Sequence, residues 1–258
     1  MKKLKELYEY RTMIQSSVRK ELRGRYKNSI LGFLWTFINP LMQIIIYTIV
    51  FSQIFKMDVD KYYLYLTVVM IPFVFFSSSM TGGSMSVVNQ KDLVKKIYFP
   101  REVLPISFVT TCFVNFLLSM IVVFGVIAIS GNGFNLVALL FLPIIMLIEY
   151  ILVLGLTMIV SACNVYLRDL EHIVGVLMMA WIYMTPVMYD KSLVPPQLIP
   201  IFNSNPMTPV SIAYRDILYY KRIPEMQTLG LTVAFGVGSM IIGFIIFDKL
   251  QKNFAEEL

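Results

Sequence analysis

The chain of 258 residues is 57% hydrophobic and only 15% charged, with a mean hydropathy of +0.71. A soluble domain carries about a quarter charged residues, so this composition excludes the water-soluble class. The formal charge of +6 comes from cations grouped at the edges of apolar runs, not from a basic surface interleaved with exposed aromatics, which points to a membrane face and away from nucleic acid.

The first element is amphipathic. Residues 4–26 place Leu4, Leu7, Ile14, Val18, Leu22 and Tyr26 at intervals of three, four or seven with charges between them, the period of a helix with one apolar stripe. With Lys and Arg on the other face it suits a helix in the headgroup plane, within a cytoplasmic segment 1–30; a soluble helix packed on a partner is the alternative. The polar lead-in of about 30 residues, with no small-residue cleavage site after the first apolar run, argues against a signal peptide. Arg19, Lys20, Arg23, Arg25 and Lys27 then precede about 25 uncharged residues, enough to cross a ~30 Å hydrocarbon core while the cations stay in the cytoplasm.

Six apolar spans follow at 31–55, 63–86, 103–129, 136–164, 172–189 and 227–247. Sixteen Lys and Arg fall in the cytoplasmic segments 1–30, 87–102, 165–171 and 248–258, against six in the outer segments 56–62, 130–135 and 190–226. That asymmetry supports the orientation and puts both termini in the cytoplasm. Segment 190–226 contains Pro195, Pro196, Pro200, Pro206, Pro209 and Pro224 yet is rich in apolar residues. It is too apolar for a free loop and too broken for a span, so short helices dipping into the outer leaflet and buried in protein fit best. The expected fold is an all-α integral membrane protein with a single transmembrane domain over 1–258. It has six transmembrane helices, an N-terminal amphipathic interfacial helix, both termini cytoplasmic, and short re-entrant or interfacial helices before the last span.

Within the first span Phe33, Phe37, Pro40, Ile44, Tyr47 and Phe51 recur at steps of four and three, which keeps them on one helical face over ~27 Å. Trp181 with Met178, Met184 and Met188 forms a second stripe on the fifth span. Such stripes also serve as packing seams or lipid contacts. Glu149 is the charge set well inside a span; a carboxylate there costs ~2.5–3.5 kcal/mol or more, so it faces protein or water and is either protonated or hydrogen-bonded to hydroxyls from a neighbouring span. A structural or pore-lining role suits it better than a proton relay. Ala234/Gly238 and Ser239/Gly243 are small-xxx-small pairs that permit close helix approach. Cys112 and Cys163 lie in apolar segments as buried free thiols, with no disulfide framework or metal spacing. There is no G-x-x-x-x-G-K-[ST] phosphate loop, and His172 sits at a membrane edge without a second ligand. No catalytic residue, metal site or cofactor is assigned to the chain.

The runs LRGRYKNSILGFLWTFINPL, KDLVKKIYFPREVLP and RDL followed by TPVMY resemble the permease subunits of ABC-type polysaccharide exporters, which move O-antigen, capsule or teichoic-acid chains. The resemblance covers essentially the whole chain. It implies a homodimer in the bacterial cytoplasmic (inner) membrane, each copy bound to a cytoplasmic ATP-binding subunit that carries ATP and Mg, and a lipid-linked polysaccharide as cargo. It also implies that the N-terminal helix and the segment between spans two and three meet that subunit. The coupling residues would be Asn89, Gln90, Lys91, Asp92, Lys95, Lys96 and Arg101. Independently, a short charged helix over 87–102 ending near Pro100 is a rigid lever, its alternative being a solvated loop. Because the family lines its path with aromatics, Phe33, Phe37, Tyr47, Phe51, Trp181 and Met184, with Glu149, are candidates for the substrate path. The 190–226 helices would act as an outer gate.

Two other classes compete. A polyprenyl-phosphate glycosyl- or phospho-transferase needs clustered carboxylates or His for a metal, and Arg168, Asp169, Glu171 and His172 are the nearest approach. An ion-driven secondary transporter usually has inverted repeats and broken midplane helices, for which Pro40 and Gly82–Gly83 leave a little room.

Overall fold

The computed structural model describes residues 2–26, 31–56 and 59–258, and among these every regular element is helical. Two helices, α1 (Lys2–Glu9) and α2 (Arg11–Tyr26), precede a 3₁₀ turn at Gly32–Leu34 and α3 (Trp35–Thr48), which runs through Pro40 and continues as a π-helix over Ile49–Ile54. Then come α4 (Tyr62–Gly83), α5 (Lys91–Lys96), α6 (Val103–Ser130), α7 (Leu136–Leu139) and α8 (Leu142–Tyr166). The last group is α9 (Leu170–Met184), α10 (Ile199–Ser204), α11 (Met207–Leu218), α12 (Met226–Leu250) and α13 (Phe254–Glu257).

Five helical stretches are long and apolar enough to cross a membrane: Trp35–Ile54, Tyr62–Gly83, Val103–Ser130, Leu136–Tyr166 and Met226–Glu257. The sixth apolar helix, α9, has 15 residues and so covers only ~22 Å. It ends at Met184, short of residue 189, because Pro186 pushes Thr185 out of the helical region into an extended conformation. The segment 190–226 does fold into short helices, with Pro195, Pro196 and Pro206 between them and Pro200 and Pro209 in their first turns. All of α11 except Ile212 is buried.

α4 is the central element, buried along most of its length and packed on α3, α6, α8, α9 and α11. From Leu64 to Phe76 nearly every side chain is apolar and buried, as a helix with neighbours on most sides requires. α6 stops at Gly131, whose φ of +65° closes the helix in a left-handed cap. The closest pairing is α8 with α12, where Gly155 and Gly243 face each other so tightly that a methyl on either would overlap opposing backbone. Ser239 Oγ adds a hydrogen bond to the Leu152 carbonyl at 3.2 Å. The Ser239/Gly243 pair thus packs as its spacing predicts, whereas a methyl at Gly238 would meet nothing within 4 Å and Ala234 is exposed.

α2 lays Ile14, Val18 and Leu22 along α6 near Thr110 and turns Arg19, Lys20 and Arg23 outward. Its apolar stripe therefore meets protein of the same chain. The segment 87–102 comprises a 3₁₀ turn at Val88–Gln90, the six-residue α5, and a non-helical stretch through Pro100 in which Phe99 is buried.

Candidate functional site

A groove of about 870 Å³ runs between α3, α4 and α9. On α4 the residues facing it are Met70, Phe73, Val74, Ser77, Ser78 and Thr81, spaced at threes and fours, so one end of the stripe is apolar and the other carries hydroxyls. α9 supplies a matching stripe from Glu171 and His172, through Gly175 and Met178, to Ile182 and Tyr183. α3 contributes Gln43 and Tyr47. Glu171 to Tyr183 is twelve residues, ~18 Å of wall. Thr81 Oγ1 donates to the Ser77 carbonyl at 2.9 Å and Ser78 Oγ to the Phe75 carbonyl at 3.2 Å. Their protons are therefore committed to the helix, and their lone pairs remain to accept hydrogen bonds from whatever occupies the groove. Apart from Glu171 and His172 at one end the walls are uncharged. Such a surface can bind neutral, hydroxyl-bearing groups repeatedly and weakly. A second groove of about 540 Å³ lies between α3, α4 and α6, with Trp35, Asn39 and Asn115 in its walls, and shares Val74 and Ser78 with the first.

The aromatic ladder of the first span is divided by the fold. Tyr47 lines the large groove. Phe37 is half-buried, Pro40 and Ile44 are buried, and Phe51 stacks on Phe55 at 5.3 Å and on Tyr62 at 6.1 Å between ring centroids. Phe33 sits in the 3₁₀ turn, and its side chain lies outside the described residues. Trp35 and Ile46, on the opposite face, are exposed. On α9, Met178 lines the groove while Met184 stands exposed at the helix end. Trp181 packs its ring against Phe76 at 5.7 Å and donates from Nε1 to Asn205 Oδ1 at 3.0 Å.

Asn205 is the centre of a knot that fixes the far end of α9. Its Nδ2 donates to the Met184 carbonyl at 3.0 Å and to Thr185 Oγ1 at 2.8 Å, and its Oδ1 also accepts the Met207 N–H at 2.9 Å. Arg215 of α11 is also buried. Its guanidinium donates to the carbonyls of Pro186 and Val187 at 2.8 and 3.0 Å and lies 3.8 Å from the centroid of the Tyr65 ring. The neighbouring Asp216 pairs with Arg222 at 2.7 Å.

Glu149 is fully buried and apart from the groove. Its Oε2 accepts the Tyr214 hydroxyl at 2.6 Å, so the carboxyl ties α8 to α11. A hydroxyl partner exists, but it stands on the short helix α11 and not on a neighbouring span. Of the residues expected to couple to an ATP-binding subunit, Asn89, Lys91, Asp92, Lys95 and Lys96 are exposed and Gln90 is half-buried. Arg101 is half-buried and directed inward, donating to the Gln251 carbonyl. Ile97 and Tyr98, the latter 86% exposed, form an apolar tip that the charge pattern alone did not mark. Among the described residues no group of three or more His, Cys, Asp or Glu side chains is placed to share a metal ion.

Comparison with known proteins adds to this geometry. Residues 12–219 match the family model described as ABC-2 type transporter. An O-antigen export system permease protein of Myxococcus xanthus is 34% identical over 257 residues, 99% of this chain and 98% of that protein. Two permeases of the same description from Klebsiella pneumoniae are 31% and 30% identical over 239 residues, 93% of this chain and 92% of each relative.

Proposed function

This chain belongs to the ABC-2 type transporter family, a family of transporter membrane subunits, and we propose that it is the pore-forming permease of an ATP-driven exporter of lipid-linked polysaccharide. The observation that carries the reading is the long uncharged groove between the first span, α4 and α9, set in a chain similar over nearly its full length to O-antigen export permeases. A saccharide presents hydroxyls that donate to Ser77, Ser78, Thr81 and Gln43, and C–H faces that stack on Tyr47 and Tyr183. Neutral, repeated contacts of this kind hold a chain without fixing one position, so it can slide.

The orientation from the cation asymmetry puts the α8–α9 turn, Glu171 and His172 at the cytoplasmic end. α9 then rises from the cytoplasm as the fifth span, and α10 and α11 complete the outer half of the crossing. Gln43 of the first span and Val176, Met179 and Tyr183 of α9 line the open groove and are themselves exposed. A second copy meeting these faces would close two open grooves into one conduit. ATP binding and hydrolysis occur on a separate cytoplasmic subunit, which docks on the exposed charges of α5 around the Ile97–Tyr98 tip. The cargo is O-antigen-like, capsular or teichoic acid; its carrier lipid stays in the bilayer while the sugar chain enters the groove.

Reconstitution with the ATP-hydrolysing subunit and a lipid-linked polysaccharide tests the reading. Ser77→Leu with Thr81→Leu should stop export while leaving the complex assembled. Unchanged export in that variant would remove the groove from the path.

A further inference from the structure

α5 has six residues and a single buried side chain, Val94, so it has little packing with which to transmit a force. It leads into α6 through an extended Ile97 and the stretch to Pro100, a poor lever by itself. The structure supplies stiffness from the far end of the chain. After α12 the backbone turns at Gln251–Asn253 and brings α13 against α5. Phe254 is fully buried there, edge-on to Tyr166 of α8 at 6.3 Å and to Phe247 of α12 at 5.6 Å. The Arg101 guanidinium covers the same ring, 5.8 Å from its centroid, and donates to the Gln251 carbonyl. Gln251 Nε2 donates to Glu102 Oε1 at 2.8 Å and to Asp248 Oδ1 at 3.0 Å, and the Tyr166 hydroxyl donates to the Leu250 carbonyl at 2.8 Å.

One turn therefore gathers the start of α6, the end of α8, the end of α12 and the flank of α5. We propose that the turn Gln251–Phe254 is the joint through which movement of α5 reaches the α8–α12 pair, with Arg101 and Phe254 as its positioning residues. The proposal rests on the reading that an ATP-hydrolysing subunit docks on α5. It gives Arg101 an inward task, distinct from the outward charges of Lys91, Asp92, Lys95 and Lys96. Because α8 and α12 meet backbone to backbone at Gly155 and Gly243, a push delivered at the joint moves both as one body. The planar fork of Arg101 bonds a carbonyl while lying over a ring, which the point charge of a lysine does not reproduce.

The test uses two readouts. In proteoliposomes holding the complete complex, Phe254→Ala should lower polysaccharide exported per ATP hydrolysed at least fivefold, with the affinity of the ATP-hydrolysing subunit changed less than twofold. Phe254→Leu should restore most of the ratio, and Arg101→Lys should lower it at least twofold. In the chain alone in nanodiscs, Phe254→Ala should speed amide hydrogen exchange across Lys91–Lys96 at least tenfold and leave α4 unchanged. If Phe254→Ala does not fold, Gln251→Ala, which cuts only the bridges to Glu102 and Asp248, is read in the same two ways. Unaltered exchange in α5, or a normal export ratio, overturns the joint. A wild-type chain that binds no ATP-hydrolysing subunit would defeat the proposed function instead, and the exchange result would still decide the joint.

Discussion

Two glycines five residues apart on α12 should respond to the same substitution with opposite sign. Alanine at Gly238 adds a methyl with nothing within 4 Å, so only the intrinsic helical gain over glycine operates, about 0.5–1 kcal/mol in water and less in a bilayer. Alanine at Gly243 drives its methyl into the Gly155 carbonyl and its neighbours. The obstacle is backbone, which cannot swing aside as a side chain does, so α8 and α12 must separate and loosen the contact along both. Overpacking of this kind costs about 1–3 kcal/mol, which outweighs the propensity gain. For a chain of this size each kcal/mol moves the midpoint by about 2–4 °C. Gly243→Ala should therefore lower the thermal midpoint by several degrees, while Gly238→Ala leaves it level or slightly raised. Gly155→Ala should behave like Gly243→Ala. The measurement is thermal unfolding of each purified variant in one detergent, read by tryptophan fluorescence. Equal midpoints for Gly243→Ala and Gly238→Ala would refute the backbone contact.

Removing the Tyr214 hydroxyl as Tyr214→Phe leaves the buried Glu149 carboxyl without its 2.6 Å partner, which should cost about 1–3 kcal/mol, visible as a lower midpoint; Glu149→Gln, which can still accept, should cost less. With Cys112 and Cys163 replaced, single cysteines at Tyr47, Ser77 and Thr81 should react with a water-soluble thiol reagent in exporting cells, whereas cysteines at Ile44 and Leu66, both buried, should not. Reversing the charges of Asp92, Lys95 and Lys96 together should weaken binding of the ATP-hydrolysing subunit at least tenfold with the midpoint unchanged; full affinity would clear α5 of that role. The pure chain should hydrolyse no ATP, a colorimetric phosphate assay being sufficient to check it.

The membrane class and the short helices of segment 190–226 were legible because composition and proline placement act locally. Pro186 likewise marks the end of α9 in the sequence, through its restriction on Thr185, although an apolar count carries the span on to residue 189. What periodicity cannot supply is the neighbour of a face. The steps from Phe37 to Phe51 identify residues on one side of the first span, yet a packing seam and a lined groove have the same period, and only Tyr47 reaches the large groove. The hydroxyls of Ser77, Ser78 and Thr81 also stand at helical spacing, but serine in a membrane helix serves packing as readily as binding. Tyr214 and Glu149 are 65 residues apart, and Arg101 and Gln251 are 150 apart, so neither pairing leaves a trace in a single sequence.

The π-helix at Ile49–Ile54 has a bearing on how such chains diverge. Phe55 N–H reaches back five residues to the Val50 carbonyl at 3.1 Å, so each residue in this stretch turns through a smaller angle than in the helix before it. A wide turn of this kind accommodates one residue more than an α-helix of the same height. Losing that residue would return the stretch to ordinary winding and rotate everything beyond it, Phe55 included, while Trp35–Thr48 kept its register. Relatives should therefore show single-residue gaps here more readily than elsewhere in the first span, and those with the gap should carry compensating changes opposite Phe51 and Tyr62. The bulge works as a vernier: it sets the heading of Phe55 separately from the helix that borders the groove.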